Sequence, residues 1–122
     1  MKPVTVVLVV EDEALVRMDI VNQLEDEGFT VLEAGNADVA IQVLEAHPEV
    51  SILFTDIDMP GSMDGLKLSA AVRDRWPPVK IVVTSGHRTV EITDLPDGSV
   101  FHAKPYRHGD VVASFRELTA GR

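Results

Sequence analysis

The run Val4-Thr-Val-Val-Leu-Val-Val10 limits the possible folds more than any other stretch of the chain. It is β-branched except at Leu8, with no polar alternation beyond Thr5. A strand with one wet face alternates apolar and polar side chains. A continuous run such as this one is buried on both faces, as in the centre of a parallel sheet. Such a strand needs helices above and below it. The run ends abruptly at Glu11-Asp12-Glu13.

The remaining sequence supplies those helices. A helix is expected from about Ala14 to Glu27, with Val16, Ile20 and Leu24 on its inward face and Gly28 as its stop. A second, shorter strand follows over Phe29–Ala34. Asn36 is placed to cap a helix whose stripe is Ala37, Ala40, Ile41 and Leu44, closed by Pro48. Val50–Thr55 is a third buried strand, leading into Asp56-Ile-Asp58-Met-Pro60. A turn-rich loop precedes a helix from about Asp64 to Trp76, in which Leu68, Val72 and Trp76 are spaced by four, and Pro77-Pro78 ends it. Lys80–Thr84 is a fourth strand, broken by Ser85-Gly86. His87–Gly98 contains weak helix formers, with Pro96 and Gly98, so a short or irregular fourth helix is expected there. Val100–Ala103 is a fifth strand, and a last helix runs from about His108 to Ala120 on Val111, Phe115 and Leu118.

Strands alternating with helices imply an α/β domain with right-handed crossovers. The expected architecture is a flavodoxin-like, doubly wound (βα)5 fold, a five-stranded parallel sheet in the order 2-1-3-4-5. The length of 122 residues suits one domain, residues 1–122. No cysteine is present, which excludes disulfides and thiol catalysis and fits a cytoplasmic protein. Twenty acidic against eleven basic side chains give a formal charge of −9. That charge argues against nucleic acid and against anionic membrane surfaces as partners. No stretch reaches transmembrane length, and the apolar start is too short for a signal peptide.

The carboxyl ends of parallel strands share one edge, where open α/β sheets bind ligands. Glu11 and Asp12 stand at the end of the first strand, Asp56 at the third, Ser85 at the fourth and Lys104 at the fifth. An Asp after a strand can equally be a simple turn residue. Three carboxylates in one small site, however, repel one another unless a proton or a cation joins them. Oxygen-only donors favour a hard ion such as Mg²⁺ (or Mn²⁺), with the Asp58 backbone carbonyl able to add a ligand. Lys104 and Ser85 then suit the oxygens of a phosphoryl group, with Asp56 as the nucleophile that forms an aspartyl phosphate.

In order along the chain, Val9-Val-Glu-Asp12, Thr55-Asp-Ile-Asp-Met-Pro60, Asp64-Gly65, Val83-Thr-Ser-Gly86 and Lys104-Pro105 resemble the response-regulator receiver domain of two-component signalling. The resemblance spans essentially the whole chain and is to the stand-alone, single-domain type. It implies that Asp56 is the phosphoacceptor, Glu11 and Asp12 the acidic Mg²⁺ pair, Ser85 the switch hydroxyl, Phe101 the switch aromatic and Lys104 the family's lysine. It also implies a cis Lys104-Pro105 bond. The phosphoryl donor would be a histidine kinase or a histidine phosphotransfer protein. Output would be contact with a downstream protein of unknown identity, without turnover catalysis. Glu11 and Ser85 stand where Asp and Thr are the commoner choices, and the loop Pro60–Gly65 is one residue longer than usual.

Two other readings remain open on the sequence. Asp56-Ile-Asp58 after a strand also resembles the nucleophile motif of haloacid-dehalogenase-type phosphatases, with Asp58 as the acid. That reading expects a further acidic metal pair downstream, whereas Glu11 and Asp12 lie upstream. The other is a receiver-fold binding module that is never phosphorylated.

Overall fold

The computed structural model describes residues 4–59, 63–86 and 95–120. Its strands are β1 (Val6–Val10), β2 (Thr30–Ala34), β3 (Val50–Asp56), β4 (Lys80–Ser85) and β5 (Val100–Ala103). The helices are α1 (Ala14–Asp26), α2 (Ala37–Ala46), α3 (Gly65–Arg75) and α4 (His108–Thr119). All strands pair in parallel, in the order β2-β1-β3-β4-β5. This is the doubly wound sheet that the alternation of runs requires. The expected short fourth helix falls largely on residues 87–94, outside the described residues. Among residues 95–99, Leu95 is buried and Ser99 N–H donates to the Pro96 carbonyl at 3.1 Å.

Alternate residues of each central strand feed opposite faces, because side chains in a strand alternate. Leu8, Val10, Leu53, Ile81 and Val83 pack with Ala40 and Leu44 of α2 and Leu68 and Val72 of α3. Val7, Val9, Ile52, Phe54 and Val82 pack with Ile20 and Leu24 of α1 and Val111 and Phe115 of α4. Phe115 meets Phe29 and Phe54 edge-on, with ring centroids 5.6 and 5.7 Å apart. No helix among the described residues is long and apolar enough to cross a membrane.

The caps follow the sequence. Asn36 Oδ1 accepts from Val39 N–H at 2.9 Å, and Asp64 Oδ1 accepts from Lys67 N–H at 3.0 Å. Gly28 takes a φ of +95° just past α1, a conformation that favours glycine. Three boundaries shift by a residue or two for identifiable reasons. Phe29 N–H bonds back to the Leu24 carbonyl, so β2 starts at Thr30. Ile57 N–H donates to the Thr84 carbonyl, which carries β3 through Asp56. Lys104 N–H donates to the Ser85 carbonyl, which makes Ser85 the last residue of β4 rather than the break after it.

The junction between β3 and α3 is tight. Gly65 N–H donates to the Ile57 carbonyl at 3.0 Å, and a Cβ on Gly65 would lie 2.2 Å from the Asp56 carbonyl oxygen. That oxygen, like the Ile57 Cα at 2.7 Å, is backbone and cannot rotate away. Gly65→Ala is therefore expected to lower stability by about 3 kcal/mol, at the upper end for overpacking, measured by urea unfolding.

Candidate phosphoacceptor and metal site

Glu11, Asp56 and Ser85 are only 5%, 4% and 3% exposed, whereas Asp12 faces solvent. The strand register brings them together. Val10 pairs with Thr55, Asp56 with Thr84, and Ser85 with Ala103, so the residues just beyond or at these positions line one edge. Lys104 reaches back into that edge from the end of β5. Its Nζ donates to Asp56 Oδ2 at 2.8 Å and to Glu11 Oε1 at 3.3 Å. Lys104-Pro105 is a cis peptide, as the resemblance implied.

Each acid is oriented by its own partners. Asp58 N–H donates to Asp56 Oδ1 at 3.1 Å, so both Asp56 oxygens accept a bond. Glu13 N–H donates to Glu11 Oε2 at 3.1 Å. Carboxylate oxygens of Glu11, Asp12 and Asp56 all lie within 4.8 Å of one another. Such an all-oxygen donor set, part buried and part open to water, fits a hard divalent cation that keeps some of its waters.

The electrostatics follow from this crowding. Burial raises the pKa of Glu11 above the usual carboxylate range, helped by Asp12 and Asp56, while the Glu13 amide and Lys104 pull it down. Burial would lower the pKa of Lys104, but Asp56 and Glu11 outweigh it and the ammonium is held more firmly than usual.

Ser85 Oγ donates to Asp58 Oδ2 at 2.7 Å. Phe101 is half-buried on β5, against the core face shared with α2 and α3. Two contributors were not apparent in the sequence. Arg17 on α1 donates through Nη1 to the Glu11 carbonyl at 2.6 Å and through Nε to Glu33 Oε1 at 3.2 Å. It ties the acidic loop to β2, and no motif marks it. Tyr106 forms part of the site's inner wall with Val9, Glu11, Phe54, Asp56 and Thr84, and meets Phe54 edge-on at 5.7 Å.

The family model described as response regulator receiver domain matches residues 7–95. The chain belongs to this family. Its relatives include the transcriptional regulatory protein PdtaR of Mycobacterium tuberculosis, 32% identical over 125 residues, covering 93% of this chain and 60% of that one. The sensor kinase CckA of Brucella abortus is 40% identical over 116 residues, covering 92% of this chain and 12% of that one. The chain spans 18% of the length of the NtrX-like response regulators of Rickettsia felis and Rickettsia bellii that it also matches. Among solved structures, a receiver protein from Sinorhizobium medicae superposes with a TM-score of 0.85 at 27% identity, covering 94% of both chains. One from Pseudomonas putida gives 0.83 at 26% identity and 100% coverage of both.

Receiver domains are phosphoacceptors of two-component signalling, phosphorylated by histidine kinases, and generally bind Mg²⁺. The family does not favour the phosphatase reading of Asp56 and Asp58.

The wall tyrosine yields a direct test of site burial. Burial above all pushes its phenol from 10.0 up to about 12, with the Glu11 and Asp56 charges adding to the rise and Lys104 opposing it. It is the only tyrosine in the chain. A tyrosinate absorbance titration is expected to have its midpoint near 12 in the folded protein and near 10 in urea. Because the folded value is raised, this contribution to stability is complete below pH 10 and is lost as pH climbs through about 12.

Proposed function

We propose that residues 1–122 form one receiver domain in which Asp56 accepts a phosphoryl group from a phosphohistidine donor, a histidine kinase or a histidine phosphotransfer protein. The observation that carries this reading is the convergence of Lys104 Nζ on Asp56 and Glu11, at 2.8 and 3.3 Å, across 48 and 93 residues of sequence. A carboxylate oxygen of Asp56 attacks phosphorus, the new O–P bond replaces the donor's N–P bond, and the imidazole leaves with the bonding pair. Glu11, Asp12, Asp56 and the Asp58 backbone carbonyl would hold the divalent cation, Glu11 through water. A cation bound there supplies positive charge to the phosphoryl oxygens.

Lys104 supplies a point charge to the same group from its own side. Its ammonium is already ordered by two carboxylates, so little reorganisation is needed. Ser85 donates its hydroxyl to a phosphoryl oxygen, and Phe101 repositions with it. The added charge shifts an existing equilibrium between surfaces, and the output is a changed protein contact rather than turnover of a substrate. The setting is cytoplasmic.

Incubation with acetyl phosphate and Mg²⁺, followed by intact mass, is expected to give one labile phosphoryl adduct. The adduct should be absent in Asp56→Asn and on chelation of the metal. Lys104→Ala should slow its formation on the order of 10²-fold, the usual effect of removing one preorganised electrostatic donor. Absence of an adduct from acetyl phosphate and from phosphohistidine proteins alike would refute the assignment, and steady hydrolysis of a phosphomonoester would replace it with the phosphatase.

A further inference from the structure

Asp58 touches both halves of the proposed switch. Its amide holds Asp56 Oδ1, and its side-chain Oδ2 takes the Ser85 hydroxyl proton at 2.7 Å. A serine hydroxyl has a single proton to donate. In the resting protein that proton is directed at Asp58, so it is not directed at the place where a phosphoryl oxygen would sit. Ser85 is 3% exposed, which leaves little bulk water to compete for it. A hydrogen bond to a charged acceptor is also stronger than one between neutral groups.

We propose that the Asp58 side chain is a latch on the resting state, a positioning residue that acts through Ser85. It holds the hydroxyl away from the acceptor site until a phosphoryl group arrives to compete for it. The proposal rests on the reading of Asp56 as phosphoacceptor. The two claimants for the proton are both anions and stand two residues apart. A phosphoryl group on Asp56 therefore outbids Asp58 in two ways: it offers several acceptor oxygens, and it repels the Asp58 carboxylate. Until then the latch opposes phosphorylation, because the transition state needs the proton that Asp58 holds.

The test follows phosphorylation by acetyl phosphate at saturating Mg²⁺, so that altered cation affinity does not enter, with intact mass as the readout. Asp58→Ala is expected to accelerate adduct formation about tenfold, which corresponds to about 1.4 kcal/mol for the lost bond. Asp58→Asn keeps a neutral acceptor and is expected to fall between wild type and Asp58→Ala. In a Ser85→Ala background the Asp58→Ala effect should shrink below twofold, since there is no proton left to hold. Equal acceleration with and without the serine hydroxyl would mean that Asp58 acts only by its charge, and would overturn the latch. So would unchanged rates in both Asp58 variants. Urea unfolding of each variant identifies any loss of fold, and if Asp58→Ala does not fold, a wild-type rate in Asp58→Asn overturns the proposal. A wild-type protein that takes no phosphate at all refutes the phosphoacceptor reading instead, a result distinct from these.

Discussion

The site depends on how the fold tolerates three carboxylates at one sheet edge. Glu11, Asp12 and Asp56 place oxygens within 4.8 Å of one another, and two of these residues are buried. At that spacing two full charges repel by about 3.5 kcal/mol at an effective dielectric near 20. Lys104 bonds to both buried acids, which relieves part of the repulsion. Burial is the main cause that raises the pKa of Glu11, and the neighbouring Asp12 and Asp56 add to it. An edge under this strain gains most from a small, doubly charged cation, and a group that brings further negative charge needs that cation more. The resting charge distribution is thus one that a divalent cation would relieve.

The parallel sheet makes this concentration of charge structurally possible. Glu11 N–H bonds to Ala34, Ile57 N–H to Thr84 and Lys104 N–H to Ser85, so the ladder continues past the strands into the candidate site residues. Each chemically active side chain therefore starts from backbone that is already fixed on one side. Beneath Asp56 the constraint is steric, because only glycine at position 65 lets α3 begin so close to the Asp56 carbonyl. Asp56 is held by hydrogen bonds to both of its oxygens and by close packing under its main chain.

The sheet order, the helices on both faces and the meeting of Glu11, Asp12, Asp56 and Lys104 could be read from the sequence for one reason. Largely apolar runs without polar alternation, such as Val6–Val10 and Val50–Thr55, report burial on both faces, and parallel topology then places their ends together. Boundaries that depend on single long-range bonds could not be read this way. Ser85 looks like a strand breaker beside Gly86 until the Lys104 amide is seen to bond its carbonyl. Arg17 was equally hidden: its target is a main-chain carbonyl, and main-chain atoms leave no mark on composition or spacing. His102 lies half-buried in β5 with its Nε2 3.1 Å from Ser114 Oγ of α4, a contact that no spacing in the sequence marks.

Asp56 and Asp58 show how strand geometry separates two chemically identical residues. Asp56 is still within β3, so its side chain is aimed along the sheet edge at Lys104. Asp58 lies past the ladder and is half-buried, and it meets β4 at Ser85. A phosphatase would need the second Asp to present a proton to a leaving group. Here its oxygen receives one from a buried serine, so it occupies the acceptor side of the bond. The same tripeptide can therefore be read in two ways from the sequence, and in this fold the bond from Ser85 sets Asp58 Oδ2 on the accepting side.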